Sequence, residues 1–248
     1  MFSLFSSSFF FSGFSSGNAS VVVKKQIYEW RIYTLTDPNG SLDSFFEEIL
    51  IPAYNCRNIS VGAFTKYKND GKEQRFLLFV YPDMQTYTKT RKDLMNDSLF
   101  NKAARPFFDE SAAQPVYTEY ETFLCEAFDK IPILRKPDPA RTLFELRIYH
   151  GPNEDANQRK IKMFNTEEID LFDRVGINSV CYGDIFAGKH MPALIYLTWH
   201  ADEDARNVAW NKFMSHPEWL KMKNKAEYKN TATNNQVILL SPMNYSQF

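Results

Sequence analysis

The residues in this chain best suited to proton transfer or ligation are four histidines, His150, His190, His200 and His216, all in its second half. In an antiparallel sheet whose first strand rises and whose third descends, His150 after one strand and His190 before the other reach the same edge. The helix after His200 climbs back, about 21 Å over the ~14 residues from Asp202 to His216, which would bring a third imidazole there. An apolar pocket between sheet and helices, walled by Tyr149, Trp210 and Trp219 with Arg147 beside them, would then have His150, His190 or His216 as acid or base. The competing reading is structural. Ser215-His216-Pro217-Glu218 makes a helix start, with Ser215 as cap and Glu218 closing a capping box, and tryptophans at helical spacing fill cores. No carboxylate or cysteine is fixed beside the histidines by spacing, so no metal site is expected.

Other chemistries lack their residues. No Walker loop, GxGxxG, GxSxG or HExxH occurs. Cys56, Cys125 and Cys181 lie far apart and form no CxxC, so neither a zinc site nor a disulfide framework is expected, and Cys181 reads as a small buried hydrophobe. With 29 Lys+Arg against 30 Asp+Glu there is no long-range positive field for nucleic acid, which is excluded as the default partner. Aromatics at 16% fit strands that must cover two faces.

The elements that must position these groups come from alternation. Leu143-Phe144-Glu145-Leu146-Arg147-Ile148-Tyr149-His150 has the period of a strand, and Ile27-Tyr28-Glu29-Trp30-Arg31-Ile32-Tyr33-Thr34 is a near copy in the same register, which points to an internal duplication. After the first copy come a helix capped by Ser41 and kinked by Pro52, a hairpin of strands 60–68 and 75–81, a helical region 83–108 broken at Asp97-Ser98, and a strand 115–124. The second copy is followed by a helix stopped by Gly176, strands 178–186 and 193–199, a helix from Asp202 and a strand 236–240. The fold class is α+β: two ferredoxin-like βαββαβ domains, 26–128 and 142–248, joined by a Pro-rich linker 129–141. Each sheet has helices on one face only, so the two are expected to pack sheet to sheet. Phe144, Leu146 and Ile148 are then expected under the helices, and Glu145, Arg147 and Tyr149 in the interior facing Glu29, Arg31 and Tyr33.

Residues 1–25 are set apart as a leader. The first 20 are uncharged, rich in Phe and Ser, and end in small residues like a signal-peptidase site, but they have no basic start. Export to a periplasmic or secreted location is one expectation, and a disordered start on a cytoplasmic protein the other. The stretch is too short and interrupted to span a bilayer, and no transmembrane segment is expected.

The stretch Phe144 to His150, Met163-Phe164-Asn165, Tyr182-Gly183-Asp184, Met191-Pro192-Ala193-Leu194-Ile195-Tyr196, Ala209-Trp210-Asn211-Lys212-Phe213 and His216-Pro217-Glu218-Trp219 together resemble the NIPSNAP family. The first half resembles a diverged copy, with Asp97-Ser98-Leu99-Phe100 where the Pro-Glu-Trp motif would stand, as in two-domain bacterial members. The resemblance implies the dimeric α/β barrel superfamily, whose branches include cofactor-free monooxygenases and haem-binding or haem-degrading enzymes. It carries over no catalytic residues. The favoured expectation is a protein that binds a small apolar ligand or another protein, with some capacity to self-associate and no evident cofactor. The alternative is an oxidoreductase of those branches, in which one of the histidines would be a haem ligand.

Overall fold

A computed structural model describes residues 23–248 apart from 38, 39 and 69, so the leader lies almost wholly outside the described residues. Strand β1 (Ile27–Leu35) leads into helix α1 over residues 42–55, in which a π turn, Phe46–Leu50, interrupts the α-helical ladder. Strands β2 (Ser60–Lys66) and β3 (Gln74–Tyr81) follow, then helices α2 (Met84–Met95) and α3 (Ser98–Ala113) and strand β4 (Tyr117–Ala127). The second half repeats the order. It has β5 (Leu143–His150), α4 over 154–175 with its own π turn Phe164–Glu168, β6 (Asn178–Ala187), β7 (Ala193–His200), α5 (Glu203–Ser215), α6 (Pro217–Met222) and β8 (Asn234–Pro242). Pro52 is not needed for the π turn, because the second half forms one without a proline.

Local signals explain most boundaries. Asp83, Asp97, Asn153 and Asp202 each accept a backbone N–H at the start of α2, α3, α4 and α5, satisfying donors the helix leaves orphaned. Gly176 ends α4 in the left-handed region at φ 91°, which its missing Cβ permits. Two expected caps differ. Ser41 precedes α1 without a capping bond, and α6 is capped by His216, whose Nδ1 accepts from Glu218 N at 3.2 Å, while the Ser215 hydroxyl bonds back to Asn211 O in α5.

Eight antiparallel strands close into one barrel in the order β1-β3-β2-β8-β5-β7-β6-β4. Within each half the order is that of a ferredoxin-like sheet. The halves join edge to edge, β2 with β8 through Phe64 opposite Pro242, and β4 with β6 through Glu126 opposite Asp184. This is the dimeric α/β barrel contained in a single chain. Residues 129–141 are tied to both halves, through Gln26 N donating to Pro132 O at 2.9 Å and Arg135 N donating to Val180 O at 2.9 Å.

The barrel interior is apolar on every side: Tyr28, Trp30, Ile32, Phe64, Phe76, Cys125, Phe144, Leu146, Ile148, Cys181, Ile195 and Leu240 form one cluster drawn from all eight strands. This corrects the expected orientation. Phe144, Leu146 and Ile148 fill the interior, and Glu29, Arg31, Tyr33, Glu145, Arg147 and Tyr149 point outward beneath the helices. A closed sheet leaves an interior charge only other strands as neighbours, whereas the helical layers supply polar partners, and burying a charge without partners is costly.

Candidate functional site

Beneath the helices, each half holds a pocket built around its outward-facing Glu-x-Arg-x-Tyr. In the first half, Glu29 is 3% exposed and accepts from Arg31 Nε at 2.8 Å and Tyr81 OH at 2.7 Å, and Arg31 donates Nη2 to Tyr54 OH at 2.9 Å. The guanidinium also lies 4.3 Å from the centre of the Phe79 ring. Above this base opens a cavity of about 560 Å³, lined by Leu42, Phe45, Phe46, Leu50, Phe107 and Phe108 and closed at its sides by Tyr33, Tyr87, Tyr117 and Tyr120. Glu29 and Tyr54 take two of Arg31's five N–H donors, and the guanidinium side chain lines the cavity beside Tyr33. Arg91 lies at the exposed rim, bonded to Tyr87 OH at 2.7 Å. Burial pushes the Tyr33 hydroxyl up to about 12 against the pull of Arg31, so it stays neutral.

The second half treats the same position differently. Glu145 is fully buried and accepts from Arg147 at 2.6 Å, Arg206 Nε at 2.7 Å and Trp210 Nε1 at 2.8 Å, with His200 Nε2 at 3.6 Å. Burial alone would raise its carboxyl, but His200, Arg206 and Arg147 overcome that and hold it at about 2. Its pocket, about 440 Å³, is lined by Arg147, Tyr149, Lys160, Glu168, Trp210, Trp219, Lys223 and Asn235. Arg147 stacks 3.7 Å from the Trp210 ring centre, and Lys160 pairs with Glu168 at 2.8 Å, both side chains under 9% exposed.

Matching elements let the two sites be compared residue by residue. Glu29 faces Phe79 and Glu145 faces Thr198, so Tyr81 and His200, each two residues on, occupy equivalent places. The π turns start at Phe46 and Phe164, so Leu42 matches Lys160 and Leu50 matches Glu168. Counting from the capping residues Asp83 and Asp202, Tyr87 matches Arg206 and Arg91 matches Trp210, and from Asp97 and His216, Phe100 matches Trp219.

Comparison with known proteins bears on the second half directly. The NIPSNAP family model matches residues 144–247. The second half is a NIPSNAP domain. The solved structure of a NIPSNAP-like domain protein from Burkholderia xenovorans is 21% identical, covering 43% of this chain and 90% of that one with a TM-score of 0.40. Over the whole chain, a proposed monooxygenase of Lactobacillus acidophilus (9% identity, 88% of this chain and 94% of that one, TM-score 0.58) has the same fold. So does one of Fusobacterium nucleatum (10% identity, 88% and 92%, TM-score 0.53). At these identities the likeness is one of fold alone. No curated protein matches the chain.

Of the residues singled out by spacing, the NIPSNAP domain brings Arg147, Tyr149, Trp210 and Trp219 together in its pocket. His150 and His190 do meet at the sheet edge, with rings 6.0 Å apart and His150 Nδ1 2.8 Å from the His190 carbonyl oxygen. They line a separate shallow hollow with Met191, Asn234 and Gln236. His216 does not join them, because its ring caps α6. The expectation of three converging histidines is therefore corrected: α5 stops at Ser215, and the turn into α6 spends the imidazole on its own backbone.

These placements do not suit haem. No histidine lines either helix-covered pocket, His150 is engaged by the His190 carbonyl, and His200 is 1% exposed against Glu145. Among the described residues no group of three His, Cys, Asp or Glu is arranged to hold a metal ion, and no helix is long and apolar enough to cross a membrane. The first-half cavity, Arg206 and the Lys160–Glu168 pair were not singled out by spacing. Lys160 carried a signal, since it sits on the inward stripe between Ala156 and Phe164, four residues from each.

Proposed function

We propose that the protein binds a small, largely aromatic or aliphatic molecule bearing one acidic oxygen, held in the first-half cavity with that oxygen on Arg31. The supporting observation is a buried guanidinium at the base of a cavity of about 560 Å³ whose other walls are phenylalanine, leucine and tyrosine. A mostly apolar concavity with a few fixed polar groups is the usual form of a small-ligand site. Arg91 at the rim has the Tyr87 hydroxyl as partner, so the lining carries a net positive charge that favours an anion.

Calorimetric titration with 2-naphthoate and its neutral counterpart 2-naphthylmethanol tests this. Saturable binding of naphthoate, at least ~10-fold tighter than the alcohol because a charge-assisted bond is at stake, is expected. Leu50→Trp, which fills the cavity, should remove the binding that takes place there and so lower the number of naphthoate molecules bound. Equal affinity for both compounds, or no effect of Leu50→Trp, rejects the reading. Oxidation of such a ligand by dioxygen is the second reading, supported by the fold shared with the two proposed monooxygenases. Oxygen uptake during the same titration decides it. Hemin titration is expected to give no saturable Soret shift that depends on His150, His190 or His216.

A further inference from the structure

We propose that the NIPSNAP domain carries a second ligand site of different chemistry, the pocket beneath α4, α5 and α6, and that it takes a small organic anion, a carboxylate or phosphate monoester on a flat body. This rests on the second-half geometry and does not depend on the first-half reading. Arg147 gives Nη1 to Tyr149 OH at 3.0 Å, and the Lys160 ammonium lies 5.7 Å from the centre of the same Tyr149 ring, so two cations flank one side chain at the pocket floor. Lys160 spends one donor on Glu168 and one on Met163 Sδ at 3.6 Å, leaving its third N–H.

The charges do not cancel. Arg147, Arg206, Lys160 and Lys223 face only Glu145 and Glu168 in and directly behind the lining, and Lys223 is exposed at the rim. The net charge is positive, and the low dielectric at the floor strengthens attraction for an anion. Flatness is set by the walls: Trp210 and Trp219 flank the opening, and the Trp219 Nε1 is buried without a hydrogen-bond partner, a donor whose isolation a ligand oxygen would relieve. Asn230 and Asn235, both exposed, make the remaining rim polar. The first half, with Leu42 and Leu50 in place of Lys160 and Glu168, cannot offer this chemistry.

The probes are phenyl phosphate, benzoate and benzyl alcohol, titrated calorimetrically into wild type, Leu50→Trp and Leu50→Trp carrying the double substitution Lys160→Leu/Glu168→Leu. Leu50→Trp, with the first-half cavity filled, should still bind phenyl phosphate or benzoate, benzyl alcohol at least tenfold more weakly, and the double substitution added to Leu50→Trp should cost at least tenfold for the anion. The tighter of the two anions identifies which headgroup the site prefers. The double substitution places leucines where the first half already has them, so the protein should fold. If it does not, Trp219→Phe gives the second readout: the anion-induced change in tryptophan emission seen in wild type should shrink. The proposal is overturned if no anion binds, if binding is lost in Leu50→Trp, or if the double substitution costs Leu50→Trp no affinity and Trp219→Phe responds as wild type does.

Discussion

The first half rests its Glu-Arg pair under leucines and phenylalanines and keeps a large apolar cavity over it; the second crowds the equivalent carboxylate with two guanidiniums and an indole and lines a smaller, more charged pocket. The backbone is the same in both, down to a π turn at the matching point of the first helix. The difference is therefore written in a few outward side chains: Leu42 and Leu50 against Lys160 and Glu168, Tyr87 and Arg91 against Arg206 and Trp210, Phe100 against Trp219. The absence of the Pro-Glu-Trp motif from the first half changes the pocket there, since the smaller Phe100 stands where the second half has an indole, and it does not abolish it.

Glu145→Ala should have the largest effect, about 4 to 5 kcal/mol of stability by urea denaturation, because it strands Arg147 and Arg206 together in a buried place. Glu29→Ala strands one guanidinium, that of Arg31, together with the Tyr81 hydroxyl, and should cost about 3 kcal/mol. If the two losses are equal or reversed, the second half is not the more dependent on its carboxylate, and the contrast fails.

Acid sharpens the same point. The Glu145 carboxyl is held below its ordinary 4.5, at about 2 in the folded protein, so its contribution is whole above pH 4.5 and is lost as pH falls towards 2. That window should remove about 3 kcal/mol. Glu145→Gln should be flatter across it, and an unchanged slope would assign acid sensitivity elsewhere.

Exchanging Lys160 and Glu168 for leucines should leave stability unchanged or raise it by up to about 2 kcal/mol, since a buried ion pair is often replaceable by hydrophobes of similar size. A loss of several kcal/mol would mean the two halves are not interchangeable at that point. The smallest effect is His216→Ala, about 0.5 kcal/mol for the lost cap of α6, with phenyl phosphate affinity intact. A large loss of affinity would return His216 to the pocket.

The strands and their succession along the chain were legible in the sequence because alternation, most capping residues and Gly176 act locally, and the barrel was legible because each sheet has helices on one face and the duplicated half supplies its partner. The facing of β1 and β5 was not. Both faces of β5 are buried, so alternation separates Phe144, Leu146 and Ile148 from Glu145, Arg147 and Tyr149 without saying which set meets the helices. The partners that decide it, Arg206 and Trp210 for Glu145 and Tyr54 for Arg31, come from distant segments. The second-half pocket was partly legible because Arg147, Tyr149, Trp210 and Trp219 are conspicuous types. The first-half cavity was not, because an empty volume arises from what leucine and phenylalanine leave unfilled, and those residues read as core.

The seam between β2 and β8 has a consequence for how the protein is made. Residues 64–66 pair with 240–242 in β8, which is made only after the other seven strands of the barrel. Until then the first half must wait with two open sheet edges and with Trp30, Phe64 and Phe76 facing water, the condition in which nascent chains pair with the wrong neighbour. Synthesis speed and chaperone supply therefore bear on the yield of this protein more than on that of a protein whose sheet closes early.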